Sequence, residues 1–165
     1  GACSSGEEPY TIALLLADVL GDRPWEILAS DISHRVLERA RTGVYALEDR
    51  DDIPRNLVIK HCLRGVGENE GRMMITPALR QRIRFAQINL NAPIPDVGLF
   101  DTIFLRNVMI YFDKPTQRAI LSRLVEHMGD DGLLYTGHSE NYLHAADLIQ
   151  PCGRTLYRRA AKAGA

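Results

Sequence analysis

The sequence has little that would define a metal site, a disulfide framework or a membrane segment. Its only cysteines, Cys3, Cys62 and Cys152, are far apart, odd in number and without a CxxC pair. This spacing is typical of neither a zinc site nor a disulfide framework, so we expect no metal and free thiols in a reducing cytoplasm. No apolar run approaches the ~18 residues of a membrane-spanning helix and no signal peptide is visible, so we expect no membrane insertion.

A strong charge of either sign is also missing. Lysine and arginine total 20, aspartate and glutamate total 21, and the formal net charge is −1. No global field therefore favours nucleic acid or an anionic membrane as a partner. The cluster Arg80, Arg82 and Arg84 fits a solvated face better than a surface for an acidic protein. With 45% hydrophobic residues, 165 residues predict one globular domain.

The chain is organised around its beginning. Small residues run from Gly1 to Gly6, and apolar residues such as Leu15 and Val19 then recur at helical spacing over about 9–20. A glycine-bearing turn that leads into a helix lets a ligand approach the backbone and its unpaired N–H groups. In doubly wound α/β domains such a turn forms the floor of a nucleotide site.

Two acidic residues, Glu7 and Glu8, stand at the start of this helix. They would repel a pyrophosphate, but they suit a ligand with positive charge near a ribose, such as S-adenosylmethionine. Compensation of the helix dipole explains them equally well. A nicotinamide oxidoreductase is disfavoured because the third glycine of its fingerprint is also absent.

Polar residues stand at the carboxyl ends of three predicted strands. They are Asp31, Asn89 and the pair Arg106-Asn107. Because open α/β sheets bind ligands at that edge, we expect these residues and Glu8 to converge there. In nucleotide-binding α/β folds, the strand that follows the glycine turn and its helix typically ends in an acid that accepts hydrogen bonds from ribose hydroxyls. Asp31 has this place in the sequence. Capping of the next helix is the alternative for Asp31, and a turn is the alternative for Asn89.

The remaining pattern alternates helices and strands. We predict helices at about 9–20, 33–41, 77–82 and 116–128, and strands at 25–31, 83–90, 100–106, 133–136 and 154–158. Residues 129–132 are interpreted as a turn and residues 160–165 as a fraying tail. Three glycines between Leu63 and Ile75 indicate a hairpin, which is either a plain surface feature or an edge that adds a partner's peptide strand.

The stretch GHSEN (137–141) holds residue types that hydrolases use. A nucleophile elbow needs GxSxG, which is absent, and adjacent residues on one loop do not easily form a triad. We therefore predict that this stretch has a structural role or supports the residues that line the site.

Taken together, these motifs resemble the CheR family of chemotaxis protein-glutamate methyltransferases. The matching stretches are 3–10, 29–32, 63–71, 89–90, 100–112 and 137–141. The runs GEEPY (6–10) and RNVMIYF (106–112) are far more specific than a lone GxGxxG. The order and spacing hold across nearly the whole chain.

The resemblance implies an α/β fold, the Rossmann-like sheet of S-adenosylmethionine-dependent methyltransferases over residues 1–165, with a β-hairpin subdomain inserted at about 63–76. It implies a bacterial, cytoplasmic enzyme that methylates glutamate side-chain carboxylates of methyl-accepting chemotaxis proteins and releases S-adenosylhomocysteine. The expected partner is the cytoplasmic signalling domain of a chemoreceptor. In some members the hairpin, here Leu63 to Ile75, binds the receptor's C-terminal peptide.

The resemblance also implies roles for individual residues in cofactor binding. Glu8 would hold the cofactor near its charged end, with Glu7 as the fallback. Asp31 would bind the ribose, and Asn89 and Leu90 would flank the adenine.

Three further residues are implied at the reacting centre. Arg106 and Asn107 would line the pocket near the methyl donor, and Tyr111 would face the reacting atoms and orient the substrate carboxylate. No general base is required, because a glutamate side chain with a pKa of about 4.3 is already ionised at neutral pH.

Family members carry an N-terminal helical domain and a first strand before the glycine turn, whereas this sequence begins inside the turn. We therefore expect the C-terminal catalytic part of a longer protein, or a chain that has lost its beginning. The alternative is a non-catalytic CheR-like module that binds receptor tails or an adenosyl ligand.

Overall fold

The computed structural model describes residues 1–161, apart from the side chain of Asp52. The helices are α1 (Glu7–Leu20), α2 (His34–Thr42), α3 (Arg55–His61), α4 (Pro77–Arg80) and α5 (Lys114–Glu126). The strands are β1 (Ile27–Asp31), β2 (Val44–Ala46), β3 (Cys62–Arg64), β4 (Arg72–Ile75), β5 (Ile83–Gln87), β6 (Phe100–Leu105), β7 (Met128–Thr136), β8 (Ile149–Pro151) and β9 (Leu156–Arg159). Most of the tail predicted to fray, 162–165, lies outside the described residues.

The chain forms two compact units. The N-terminal unit is Cys3–Gln87, and the C-terminal unit contains Gly1–Ala2 and residues 88–161. Each unit has its own hydrophobic core.

The N-terminal unit contains two small sheets. Strands β1 and β5 pair in parallel, with Asp31 opposite Gln87 at the carboxyl end. Strand β4 lies between β2 and β3 and is antiparallel to both. The β3–β4 pair is the hairpin expected between Leu63 and Ile75, and the sequence analysis did not predict that β2 joins it.

Helix α1 buries a different face from the one that its most apolar residues suggest. Tyr10, Ala13 and Leu14 are buried in the core of the N-terminal unit, whereas Leu15 and Val19 are 51% and 77% exposed. Tyr10 fixes this orientation because its hydroxyl donates to Ala40 O at 3.0 Å. The buried face of α1 is thus the one that carries Tyr10, Ala13 and Leu14, and Tyr10 binds the backbone of α2.

The C-terminal unit is a four-stranded sheet in the order β6-β7-β9-β8. Strands β6 and β7 are parallel, and the other two neighbouring pairs are antiparallel. Helix α5 covers the core with Ile120, Leu121, Leu124 and Val125, which are all buried. The Asp113 carboxylate caps α5 by accepting a hydrogen bond from Thr116 N at 3.0 Å. Hydrogen bonding to the Thr116 side chain, and then to its backbone amide, lowers the pKa of Asp113.

Several predicted element boundaries were wrong. Residues 129–132, predicted as a turn, are assigned to β7 at a register shift between Phe100 and Thr102. The chain still bends back on itself there, since a Cβ on Gly132 would lie 2.8 Å from Gly129 O. Strand β5 ends at Gln87, short of the predicted 83–90, and α3, which was not predicted, begins directly after Pro54. Strand β8 was not predicted, because three residues are too few to show an alternation of apolar and polar side chains.

The arginine cluster also has a structural explanation. Arg80 donates to Thr42 O at 2.7 Å, which satisfies a carbonyl at the end of α2. The Arg82 guanidinium lies 4.9 Å from the ring centroid of Trp25. Arg84 is exposed, as a solvated face predicts.

Among residues 1–161, no helix combines the length and the apolar character needed to cross a membrane. The same residues contain no group of three or more His, Cys, Asp or Glu side chains placed to hold a metal ion.

Candidate functional site

The glycine turn before α1 is a tight left-handed structure. Ser4 has a φ of 50° and Gly6 a φ of 96°, and Gly6 N donates to Cys3 O at 3.0 Å. A Cβ on Gly6 would lie 2.9 Å from both Ala40 Cβ and Tyr45 Oη. Glycine is therefore required at position 6 both for its backbone conformation and for the close approach of α2.

Asp31 ties the end of β1 to this turn. Its Oδ2 accepts from Ser4 N and its Oδ1 accepts from Ser33 N, both at 2.9 Å. The side chain of Ser33 makes no capping bond, so Asp31 satisfies the first amide before α2. Because a carboxylate has about four lone-pair sites, the two backbone bonds orient Asp31 and leave capacity for hydroxyl donors. The alternatives of ribose ligand and local cap are thus compatible.

The acidic pair at the start of α1 has two different environments. The Glu7 carboxylate is exposed and accepts from Ser5 Oγ at 2.7 and 2.9 Å. Glu8 is half-buried. The turn beneath them is braced by Tyr45, whose hydroxyl donates to Ser5 O at 2.8 Å and whose pKa is raised by burial and by the charge of Glu7.

Cys3 lies inside the turn, but it is not a nucleophile at neutral pH. The thiol is 7% exposed, and burial raises its pKa to about 11. The thiolate is the reactive form of cysteine, so a protonated, buried Cys3 is structural.

Asn89 and Leu90 belong to the C-terminal unit and follow Ile88. Asn89 Oδ1 accepts from Asn91 N at 2.9 Å, which is the turn that the sequence allowed as its alternative role. The Leu90 side chain is 9% exposed and packs in the core, while its carbonyl accepts from Arg123 at 2.8 Å.

The segment 106–112 follows β6 directly. Asn107 has a φ of 58°, a left-handed conformation that asparagine tolerates better than most residues. A 3-10 turn, Met109–Tyr111, comes next. Arg106 and Asn107 are exposed, and Tyr111 is 79% exposed, so its phenol faces outward while Met109 is fully buried.

Two side chains that the sequence analysis did not single out as functional hold this segment. Glu140 Oε1 accepts from Met109 N at 3.2 Å, and its Oε2 accepts from Gly137 N at 2.5 Å. Gln117 Nε2 donates to Met109 O at 2.9 Å and to Phe112 O at 3.1 Å. The structural role predicted for GHSEN includes the Glu140 contacts, whereas no sequence signal indicated Gln117.

The structure brings some predicted residues together and leaves others unrelated. Asp31 meets the glycine turn, and Asn107 meets the GHSEN stretch, where a Cβ on Gly137 would lie 2.8 Å from Asn107 Oδ1. Glu8 and Asp31 belong to the N-terminal unit, whereas the C-terminal unit contains Asn89, Leu90, Arg106, Asn107 and Tyr111. Convergence of the two sets stays a prediction.

A glycine turn that leads into a helix, an acid at the tip of the next strand and a mixed α/β architecture are features of nucleotide-binding α/β domains. The glycopeptide N-methyltransferase MtfA, in a crystal structure with sinefungin, shares the fold with a TM-score of 0.51 at 17% identity, over 82% of this chain and 40% of that one. Its crystal structure with S-adenosyl-L-methionine gives a TM-score of 0.50, also at 17% identity, over 82% of this chain and 43% of that one. The chain has the fold of S-adenosylmethionine-dependent methyltransferases.

Sequence similarity identifies the family within that class. The profile described as "CheR methyltransferase, SAM binding domain" matches residues 1–158. Chemotaxis protein methyltransferase 2 of Pseudomonas aeruginosa is 48% identical over 162 residues, which cover 96% of this chain and 58% of the relative. The chemotaxis protein methyltransferase of Escherichia coli is 45% identical over 159 residues, 94% of this chain and 56% of the relative.

This chain belongs to the CheR methyltransferase family, and the resemblance seen in its motifs is confirmed. It spans a little over half the length of these two curated relatives.

Proposed function

We propose that this chain binds S-adenosylmethionine and transfers its methyl group to glutamate side chains of chemoreceptor signalling domains. The observation that carries the proposal is the Asp31 carboxylate, held by two backbone amides at the mouth of the glycine turn. Membership of the CheR family supports the same reaction.

The N-terminal unit suits the adenosyl cofactor in charge and in hydrogen-bonding capacity. Asp31 is half-buried and already oriented, so it can accept hydrogen bonds from ribose hydroxyls without further ordering. Glu8 supplies negative charge for the sulfonium and ammonium groups, and Glu7, bonded to Ser5, is the fallback. Left-handed Ser4 and Gly6 set the path of the turn, and Ser4 is exposed.

For methyl transfer, the chain has to orient the reacting groups and exclude water from them. When bound, S-adenosylmethionine supplies an electrophilic methyl group on sulfur. A receptor glutamate is already ionised at neutral pH, and its attack forms the ester C–O bond as the S–C bond breaks. We assign Tyr111 to orient that carboxylate through its phenol, because Tyr111 is exposed and ends the 3-10 turn Met109–Tyr111. Asn89, Leu90, Arg106 and Asn107 keep the cofactor roles that the family implies as predictions.

The test combines binding with turnover. Calorimetry with S-adenosylhomocysteine measures cofactor binding, and radiolabelled methyl transfer to a purified receptor signalling domain measures the reaction. We expect saturable binding and a base-labile methyl ester. Binding without transfer would favour the non-catalytic module, and the absence of both would overturn the proposal.

Tyr111→Phe tests the catalytic assignment. We expect kcat to fall at least tenfold with little change in S-adenosylhomocysteine affinity, because only the substrate carboxylate loses a hydrogen bond. Tyr135→Phe is the matched control, since Tyr135 is a half-buried ring stacked 4.9 Å from Phe104. Equal kcat in both variants would remove Tyr111 from the mechanism.

We further propose that the outer edge of β3 binds a receptor C-terminal peptide. Two backbone bonds, from Gly65 N to Arg72 O and from Thr76 N to His61 O, show which residues of β3 bond to β4. Because every second residue of an antiparallel strand faces its partner, the Arg64 N–H points away from β4. Leu63, 46% exposed, adds an apolar contact at the same strand. An extended peptide gains affinity from such an edge by strand addition.

Arg64→Pro removes the outward N–H, whereas Arg64→Ala removes the side chain alone. Strand addition predicts that a fluorescent receptor-tail peptide loses affinity for Arg64→Pro and retains most of its affinity for Arg64→Ala. Equal loss in both variants would point to recognition of the arginine side chain instead.

A further inference from the structure

We propose that Glu140 is a positioning residue for the methyl-transfer reaction. Its carboxylate, together with the Gln117 amide, fixes the backbone of segment 106–112 and so places Asn107 and Tyr111. This inference rests on the proposed function.

The argument begins with the two backbone groups of Met109. Its N–H donates to Glu140 Oε1, and its carbonyl accepts from Gln117 Nε2. Glu140 lies in the loop after β7 and Gln117 lies on α5, so two separate elements hold a single residue. The Met109 side chain is fully buried, which anchors it a third time.

The same two side chains reach beyond Met109. Glu140 also accepts from Gly137 N, at the end of β7, and Gln117 also donates to Phe112 O, at the end of the segment. The turn that carries Tyr111 is thus tied at both ends to the sheet and to α5. An exposed phenol on an untied 3-10 turn would sample many positions, and small misplacements of a reacting group are costly in rate.

Asn107 depends on the same arrangement. It adopts a φ of 58°, and its Oδ1 lies so close to Gly137 that a Cβ there would be 2.8 Å away. That hypothetical Cβ would also lie 2.9 Å from Glu140 Oε2. Because Gly137 has no Cβ, both the Glu140 carboxylate and the Asn107 side chain can pack against it.

The chemistry of the contact requires a carboxylate. Two backbone N–H donors meet one side chain, and both Glu140 oxygens accept. A glutamine has one acceptor oxygen and presents an NH2 group at the other position, so one donor would face another donor. Glu140→Gln keeps the volume and breaks one bond, which leaves a partly buried amide unsatisfied.

The experiment compares Glu140→Gln with Glu126→Gln in this chain. Glu126 is an exposed glutamate at the end of α5 and matches the change in charge and size. Amide hydrogen exchange at Met109 and Gly137, kcat and KM for the receptor domain, and thermal unfolding are measured for each. We expect Glu140→Gln to exchange at least tenfold faster at these amides and to lose at least tenfold in kcat, with receptor KM within threefold of wild type.

Three other results would each overturn the proposal, for a different reason. Unchanged exchange and unchanged kcat in Glu140→Gln would overturn the positioning role while the proposed function stands. Faster exchange throughout the C-terminal unit, with a parallel fall in melting temperature, would also overturn it by making Glu140 a general fold residue. If wild type neither binds S-adenosylhomocysteine nor transfers methyl groups, the proposed function fails, and a catalytic positioning role fails with it.

Discussion

Asp31 Oδ2 accepts the backbone N–H of Ser4 at 2.9 Å, which links the tip of β1 to a left-handed residue of the glycine turn. The other oxygen binds Ser33 N. One carboxylate therefore organises both the turn before α1 and the start of α2.

Replacing Asp31 by Asn tests whether this carboxylate also serves a ligand. Asn retains one acceptor oxygen and loses the negative charge, so we expect S-adenosylhomocysteine affinity to fall at least tenfold, measured by calorimetry. Asp22→Asn, an exposed aspartate in the same unit, is the matched control and should bind as wild type does. Undiminished binding by Asp31→Asn would leave Asp31 with only its capping role.

Gly6→Ala should destabilise the N-terminal unit by about 2–4 kcal/mol, because it combines a left-handed φ with a contact of 2.9 Å to Ala40 Cβ. Gly71→Ala separates the two effects, since Gly71 also has a positive φ, 79°, with open space around its Cβ. We expect about 1–2 kcal/mol there from the backbone alone. Denaturant unfolding measures both variants, and equal losses would show that packing at Gly6 contributes nothing.

Gly137→Ala should disturb Asn107 and Glu140 together, because its Cβ would lie 2.8 and 2.9 Å from their oxygens. We expect a loss of about 1–3 kcal/mol in the free energy of unfolding. Gly129→Ala is the matched control in β7, where the new Cβ meets its nearest neighbour, Phe100 O, at 3.6 Å. A control as damaging as Gly137→Ala would attribute the effect to β7 and not to the loop contact.

The three cysteines should react with a thiol reagent at very different rates. Cys152 is exposed, Cys62 is half-buried with its pKa raised by burial, and Cys3 is buried with a pKa of about 11. At pH 8 we expect one fast thiol, assigned to Cys152 by mass spectrometry. Rapid labelling of Cys3 in the native protein would contradict its burial.

The raised pKa of Cys3 also predicts how the stability of the fold depends on pH. The Cys3 thiol ionises near pH 9 in the unfolded chain and near pH 11 in the folded one, so the folded state holds its proton more tightly. The stability that depends on the neutral thiol is complete below pH 9 and is lost as the pH rises toward 11. Cys3→Ala should flatten this part of the unfolding curve measured against pH.

The sequence predicted the elements whose signals are local. Helix α5 follows from Asp113-Lys114-Pro115 and an apolar stripe, and β6 follows from a largely apolar run that ends at polar residues. The glycine turn and the acid after β1 likewise belong to short, specific motifs. The buried face of α1 could not be read from its most apolar residues, because packing decides it: Leu15 is exposed.

What the sequence alone determined is the family and the chemistry that the family implies, because those depend on residue types in a fixed order: GEEPY, RNVMIYF and GHSEN. Only the tertiary structure decided how those residues are held. Glu140 and Gln117 lie 31 and 8 positions from Met109, yet they bind its N–H and its carbonyl. Such contacts form when strands and helices pack, since a side-chain hydrogen bond to distant backbone leaves no periodic trace in the sequence.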